Sequence, residues 1–283
     1  MDLSGDPHRL GKDPDFSLMS GLFPENLRTH VRAFGRFVRL AERVTDDALL
    51  PAGEKVVRLA ALEAGLLGEP AGMWSVEARG VVEDLCASLR RTGIPAQHAR
   101  HILQAYRRDA EGGACETWSD LMVYCRFAAA PIGRYLLALC REDEGVCGAP
   151  ADALCAALRI LKQLRDCSDP TIRFNRLCIP RQYLADAMIT PAHLRAASAK
   201  GQTRAVLDRV LDGVDGLLFE AKPLPGLARQ RGVIAHACIV RCRAEKLAAL
   251  FRERDPLGQR VGLSPWQRSW CRWAGKARAF LHF

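Results

Sequence analysis

Two stretches of this 283-residue chain carry carboxylates one helical turn apart. The first reads Arg39-Leu40-Ala41-Glu42-Arg43-Val44-Thr45-Asp46-Asp47, and on a helix positions 35, 39, 42 and 46 share one stripe. The second reads Arg159-Ile160-Leu161-Lys162-Gln163-Leu164-Arg165-Asp166-Cys167-Ser168-Asp169-Pro170, where 159, 162, 166 and 169 share a stripe. Facing helices of this kind would offer Glu42, Asp46, Asp166 and Asp169 as oxygen ligands to Mg²⁺, which in turn bridges to a substrate diphosphate. The same spacing equally fits a solvated charge lattice, with Arg43 paired to Asp47, Lys162 to Asp166 and Arg165 to Asp169 at i,i+4. Spacing alone leaves both readings open. A third segment, Tyr124-Cys125-Arg126-Phe127-Ala128-Ala129-Ala130-Pro131-Ile132-Gly133-Arg134, places Pro and Gly inside a helical pattern. Both residues weaken a helix interior, so either a packing kink or a ligand approaching the small-residue face should account for them.

The elements that must position these residues are helical almost throughout. Apolar residues recur at three- and four-residue spacing and strand-like alternation is scarce. Pro24 precedes a helix to Asp46, and Pro51 one that ends near Gly68. Further helices are predicted over 74–91, 95–110, 118–140, 150–168, 202–220, 225–253 and 264–280. No repeat, low-complexity tract or domain linker interrupts them. The prediction is a 1–14 leader followed by one all-α domain over 15–283, with a central cavity between facing helices.

Of 41 basic residues 34 are Arg, the better binder of planar anions, and the net charge is +9. Basic residues are spread along the whole chain without a nucleic-acid-binding motif, so no nucleic-acid partner is expected. No uncharged run approaches the roughly 18 residues of a membrane span. The first residues, MDLSGDPHRLGKDPDF, lack the apolar core of a secretory signal. Eleven cysteines with no Cys-x-x-Cys pair read as reduced, mostly buried thiols of a cytoplasmic protein. His98 and His101 are one turn apart but form no recognised metal pattern. Near the C-terminus Trp266, Arg268, Trp270, Arg272, Trp273 and Arg278 fit either a helix packed on the domain or an interfacial patch making peripheral membrane contact.

These segments resemble the squalene/phytoene synthase family, and within it the hydroxysqualene synthase branch. The family's Tyr-Cys, small residues and Pro-Val-Gly-Arg are similar to Tyr124-Cys125 through Pro131-Ile132-Gly133-Arg134. Its SDALCAALQ-like run resembles Ala151 through Arg159, and its Arg-(Ile/Val)-Tyr-(Ile/Leu)-Pro run resembles Arg176-Leu177-Cys178-Ile179-Pro180. Arg254-Asp255-Pro256-Leu257 and Arg260-Val261 match its Arg-Asp-Pro-Leu and Arg-Val elements. The likeness runs from about residue 15 to 282.

The resemblance implies the all-α class I isoprenoid synthase fold, with a prenyl diphosphate held by Mg²⁺ between two Asp-rich motifs. It implies ionisation of presqualene diphosphate, made from two farnesyl diphosphates, and capture of the cation by water without NAD(P)H. An alternative is a non-catalytic family member acting in assembly. Glu42, Asp46, Asp166 and Asp169 would be the metal set. Arg39, Arg43, Arg134, Arg159, Lys162 and Arg176 would hold diphosphate, with Arg39 and Tyr124 catalytic and Phe37 and Tyr124 lining the cavity. A paralogous synthase is an implied partner. The chain departs from the pattern at the chemistry. The first motif, Asp-Asp-x-x-Asp in the family, is Glu42-Arg43-Val44-Thr45-Asp46. A family Tyr is Gly35, and a family Arg-Tyr pair falls on Ala114 and Cys115. Where the family has Gln, Asn, Asp and Asp, this chain has Arg159, Lys162, Asp166 and Pro170. Two accounts follow: fixed cations replace part of the Mg²⁺, or metal binding has lapsed.

Overall fold

The computed structural model describes residues 15–16, 18–70, 72, 74–167, 179–196 and 198–281. Among the described residues every helix of four residues or more is an α-helix save one 3-10 turn at Pro191–Arg195, and no strand occurs. Helix α1 (Glu25–Asp46) follows Pro24, and α2 (Ala52–Leu67) ends where Gly68 adopts the left-handed conformation (φ 76°). Ser75 caps α3 (Val76–Thr92) by accepting from the Ala78 N–H. Helix α4 is Gln97–Ala110, and a Thr117/Asp120 capping box starts α5 (Trp118–Ala128).

The helix expected over 118–140 is two helices. The chain breaks at Ala129 (φ −130°, ψ −48°) and restarts as α6 (Ala130–Leu139). Pro131 therefore lies in the first turn of a new helix, where its missing N–H costs nothing. Helix α7 (Glu144–Asp166) begins a turn and a half earlier than the 150–168 expectation, because Asp143 accepts from the Gly145 N–H and caps it. The short α8 (Arg181–Asp186) precedes α9 (Gln202–Glu220), which falls where periodicity places it. The predicted 225–253 helix divides into α10 (Leu224–Leu227) and α11 (Arg231–Glu253), and α12 (Pro265–Leu281) closes the fold.

One apolar core runs through these helices, with Phe23, Phe34, Phe37, Tyr135 and Phe251 fully enclosed. Phe34 stacks on Tyr135 at 3.9 Å, which ties α1 to α6. Helix α7 packs on α5, α6, α9 and α11 and so runs through the middle of the molecule. Buried Glu142 accepts from the Arg229 and Gln230 N–H groups at 2.7–3.0 Å and fixes the start of α11 beside the start of α7. The described cysteines are free thiols, in keeping with the sequence. No described helix is long and apolar enough to cross a membrane.

Candidate functional site

The two carboxylate stripes come together. Helix α1 presents Glu42 and α7 presents Arg159, Lys162 and Asp166, with α4 and α5 completing the walls. Lys162 Nζ lies 3.0 Å from Glu42 Oε1 and 3.0 Å from Asp166 Oδ2. Arg159 reaches Glu42 Oε1 and Asp109 Oδ2, each at 3.4 Å. Its Nη2 also donates to the Tyr124 hydroxyl at 2.6 Å, and that hydroxyl donates to Asp109 Oδ2 at 2.6 Å. Arg165 donates to Asp166 Oδ1 at 3.1 Å and lies over the Phe16 ring. The guanidinium of Arg159 lies 5.3 Å from the Tyr106 ring centre and 5.7 Å from that of Tyr124, so aromatic faces shield it from water.

These cations are held charged. Burial opposes the Lys162 ammonium, but Glu42 and Asp166 outweigh it and hold the group above its usual range. Burial likewise opposes charge on Arg159, yet Tyr124, Tyr106, Asp109 and Glu42 hold it well above its ordinary value. Burial, followed by Glu42, pushes the Tyr106 phenol up. Arg39 differs. It is half-buried and makes no ion pair with a described residue, and its own burial and the neighbouring Arg36 and Arg43 lower its pKa. Its Nη1 lies 3.4 Å from where a Cβ on Gly35 would stand, so the space of the family's Tyr is partly filled by this guanidinium. Arg43 pairs with Glu77 of α3 at 2.6 Å, not with Asp47. Asp46 is half-buried beside the Lys162 cluster and weighs on its charge.

Two other sequence candidates lie elsewhere in the core or on another seam. Phe37 is wholly enclosed. Arg134 sits between α6 and α7, bidentate to Asp152 at 2.8 Å and near Glu144 at 3.4 Å, over Gly148, where any side chain would overlap its guanidinium. Asp169 and Arg176 lie outside the described residues. Two residues that sequence reasoning missed complete the site: Asp109 and Tyr106 of α4. The signal for both was an acid on the apolar stripe 99, 102, 103, 106, 109.

Among the described residues no group of three or more His, Cys, Asp or Glu side chains stands where it could share a metal ion. Glu42 and Asp166 both point at one ammonium, and Asp109 is occupied by Tyr124 and Arg159. The described donors therefore do not fit Mg²⁺: Lys162 holds the place between two carboxylates that a bridging cation would take. The cleft instead offers fixed positive charge, with Arg39 making no ion pair with a described residue and Arg43 held by a surface pair. A cavity of about 550 Å³ lies elsewhere, against α2 and α3 around Cys86 and Arg90, and no residue of this cluster lines it.

The family model for squalene/phytoene synthase matches residues 11–267. The hydroxysqualene synthase of Sinorhizobium fredii is 32% identical over 254 residues, covering 90% of this chain and 85% of that protein. The hydroxysqualene synthase of Rhodopseudomonas palustris is 30% identical, covering 93% and 86%. Among solved structures, a squalene synthase from Alicyclobacillus acidocaldarius superposes with a TM-score of 0.68 at 25% identity, covering 83% of this chain and 86% of the other. A dehydrosqualene synthase bound to a ligand gives 0.73 at 20% identity, covering 94% and 91%.

Proposed function

Because the chain belongs to the squalene/phytoene synthase family, we propose that it takes presqualene diphosphate in the α1–α7 cleft and releases hydroxysqualene. The diphosphate would be received by fixed cations instead of Mg²⁺. Arg39 is the first contact, since it makes no ion pair with a described residue. Arg43 joins by leaving Glu77, an exchange that costs little because that pair is largely exposed. Lys162 and Arg159 then share their charge between the acids and the leaving group, and the developing anion strengthens those bonds in the transition state. The C–O bond to diphosphate breaks, and the rearranged cation takes up one water and loses one proton. Tyr124, buried between Asp109 and Arg159, holds that guanidinium in place. The substrate is supplied by an enzyme that condenses two farnesyl diphosphates.

The single supporting observation is the pair of enclosed cations, Arg159 and Lys162, at positions where the family has amides. One observation favours a second reading, a prenyl-diphosphate-binding member without turnover: Glu42, Asp109 and Asp166 are each satisfied by a cation or a hydroxyl of the chain itself. The test is turnover of presqualene diphosphate by the purified protein, with Mg²⁺ and with a chelator, alongside calorimetric binding of inorganic diphosphate. Turnover that survives chelation supports the first reading. Binding without turnover supports the second, and loss of all turnover on chelation overturns the fixed-cation assignment.

A further inference from the structure

Helix α12 packs on α11 by a narrow face. Cys271, Gly275 and Ala279 are buried there, and a Cβ at Gly275 would overlap Ile239, so the two backbones are in close contact. Cys242 and Cys271 bring their sulfurs to 2.7 Å across the same seam. At 100° per residue the opposite face holds Trp266, Trp270, Trp273, Phe280 and Leu281, and all five are exposed, from 46% at Trp270 to 81% at Leu281. The helix therefore has one packed face and one exposed aromatic face. The indoles form a continuous strip: Trp266 stacks on Trp270 at 6.0 Å, and Trp270 meets Trp273 at 5.5 Å. From residue 266 to 281 the strip is about 22 Å long and one side chain to three wide.

An outward apolar strip of this size on a fixed helix calls for a covering partner. Charge identifies it. Residues 265–281 contain no Asp or Glu, while exposed Arg272 and Lys276 border the strip on one side and Arg278 on the other. Tryptophan at the centre, basic residues along both edges and a long flat outline match the interface of an anionic bilayer, where indoles sit among the headgroups and the cations meet lipid phosphate. We propose that the outer face of α12 docks the protein on anionic lipid membranes, with the helix lying in the interface plane. This inference is independent of the catalytic reading above.

The test is cosedimentation of the full chain with vesicles of phosphatidylcholine alone and of equal parts phosphatidylcholine and phosphatidylglycerol, with tryptophan emission recorded in parallel. The expected result is binding to the anionic vesicles, a blue shift on binding, and release by salt. W266A/W270A/W273A should lower partitioning about tenfold or more and lose the shift. R272Q/K276Q/R278Q should lower it roughly a hundredfold, about fivefold for each charge near the surface. All six substituted positions are exposed, so far-ultraviolet circular dichroism should match the parent. The proposal is overturned if the parent stays in the supernatant with both vesicles, or if the tryptophan variant partitions unchanged. It is equally overturned if the parent is a dimer that this variant dissociates while neither binds vesicles, since the strip would then be a protein interface.

Discussion

Glu42 gives the sharpest test of how the cleft is balanced. E42Q keeps the shape and one acceptor oxygen but removes the charge that Lys162 meets at 3.0 Å and Arg159 at 3.4 Å. The three side chains are 13–23% exposed, so solvent screens them weakly. At an effective dielectric of about 20 each contact is worth roughly 5 kcal/mol gross, an upper bound before desolvation. Removing one partner of a buried pair costs about 3–5 kcal/mol when the other is left alone. Here neither cation is left alone, because Asp166 stays with Lys162 and Asp109 with Arg159. The expected loss is therefore about 2 kcal/mol, which for a chain of this size lowers the melting temperature by roughly 3–4 °C. Thermal unfolding at neutral pH, with and without millimolar Mg²⁺, measures it. The parent should melt at the same temperature in both. A variant as stable as the parent, or a parent whose melting temperature rises by several degrees with Mg²⁺, would refute the closed lattice, because Glu42 would then be available to a metal.

Three further outcomes follow from the same geometry. R159Q/K162N, which installs the residue types of the family pattern, removes the cations that occupy Glu42 and Asp166, so its melting temperature should rise with Mg²⁺ where the parent's does not. G35Y should displace the Arg39 guanidinium, which lies 3.4 Å from the site of the new Cβ, and weaken inorganic diphosphate binding about tenfold in calorimetry while leaving the fold intact. His236 has its Nε2 buried without a hydrogen-bond partner among the described residues, and burial, then Arg243, depress its pKa to about 4. Unfolded histidine titrates near 6.5, so the unfolded chain takes up the proton first as pH falls. That contribution to stability is complete above about pH 6.5 and lost down to about 4, at most about 3 kcal/mol, and H236Q should flatten the dependence measured in denaturant titrations.

Much of the architecture is legible because it is local. Pro24, Gly68 and the apolar spacing of 202–220 mark their helices without help from the rest of the chain. The errors are at places decided by distant partners. The split before α11 depends on Glu142, 87 positions away; the break at Ala129 is the exception, with Pro131 two residues on as its local cause. The site divides the same way. The Lys162–Asp166 pair was readable at i,i+4, whereas Arg43 chose Glu77 across 34 residues over its helical neighbour Asp47. Asp109 drew no notice in the sequence, since its importance comes from Tyr124 and Arg159 converging on it in three dimensions.

The clasp at Glu142 bears on how the chain is made. Its carboxylate receives the N–H groups of Arg229 and Gln230, so it waits for residues 87 and 88 positions later. At roughly 5–20 residues per second on a ribosome, that delay is on the order of ten seconds. During that time α1 to α7 can settle against one another, because α1 packs on α2, α3 and α4, and α7 on α5 and α6. Helix α9 reaches α7 before residues 229 and 230 are made, but the side of α7 that α10 and α11 cover stays open until then, and Glu142 lacks the amides it meets in the finished fold. The corner between α7 and α11 is thus among the last parts of the fold that synthesis allows to close.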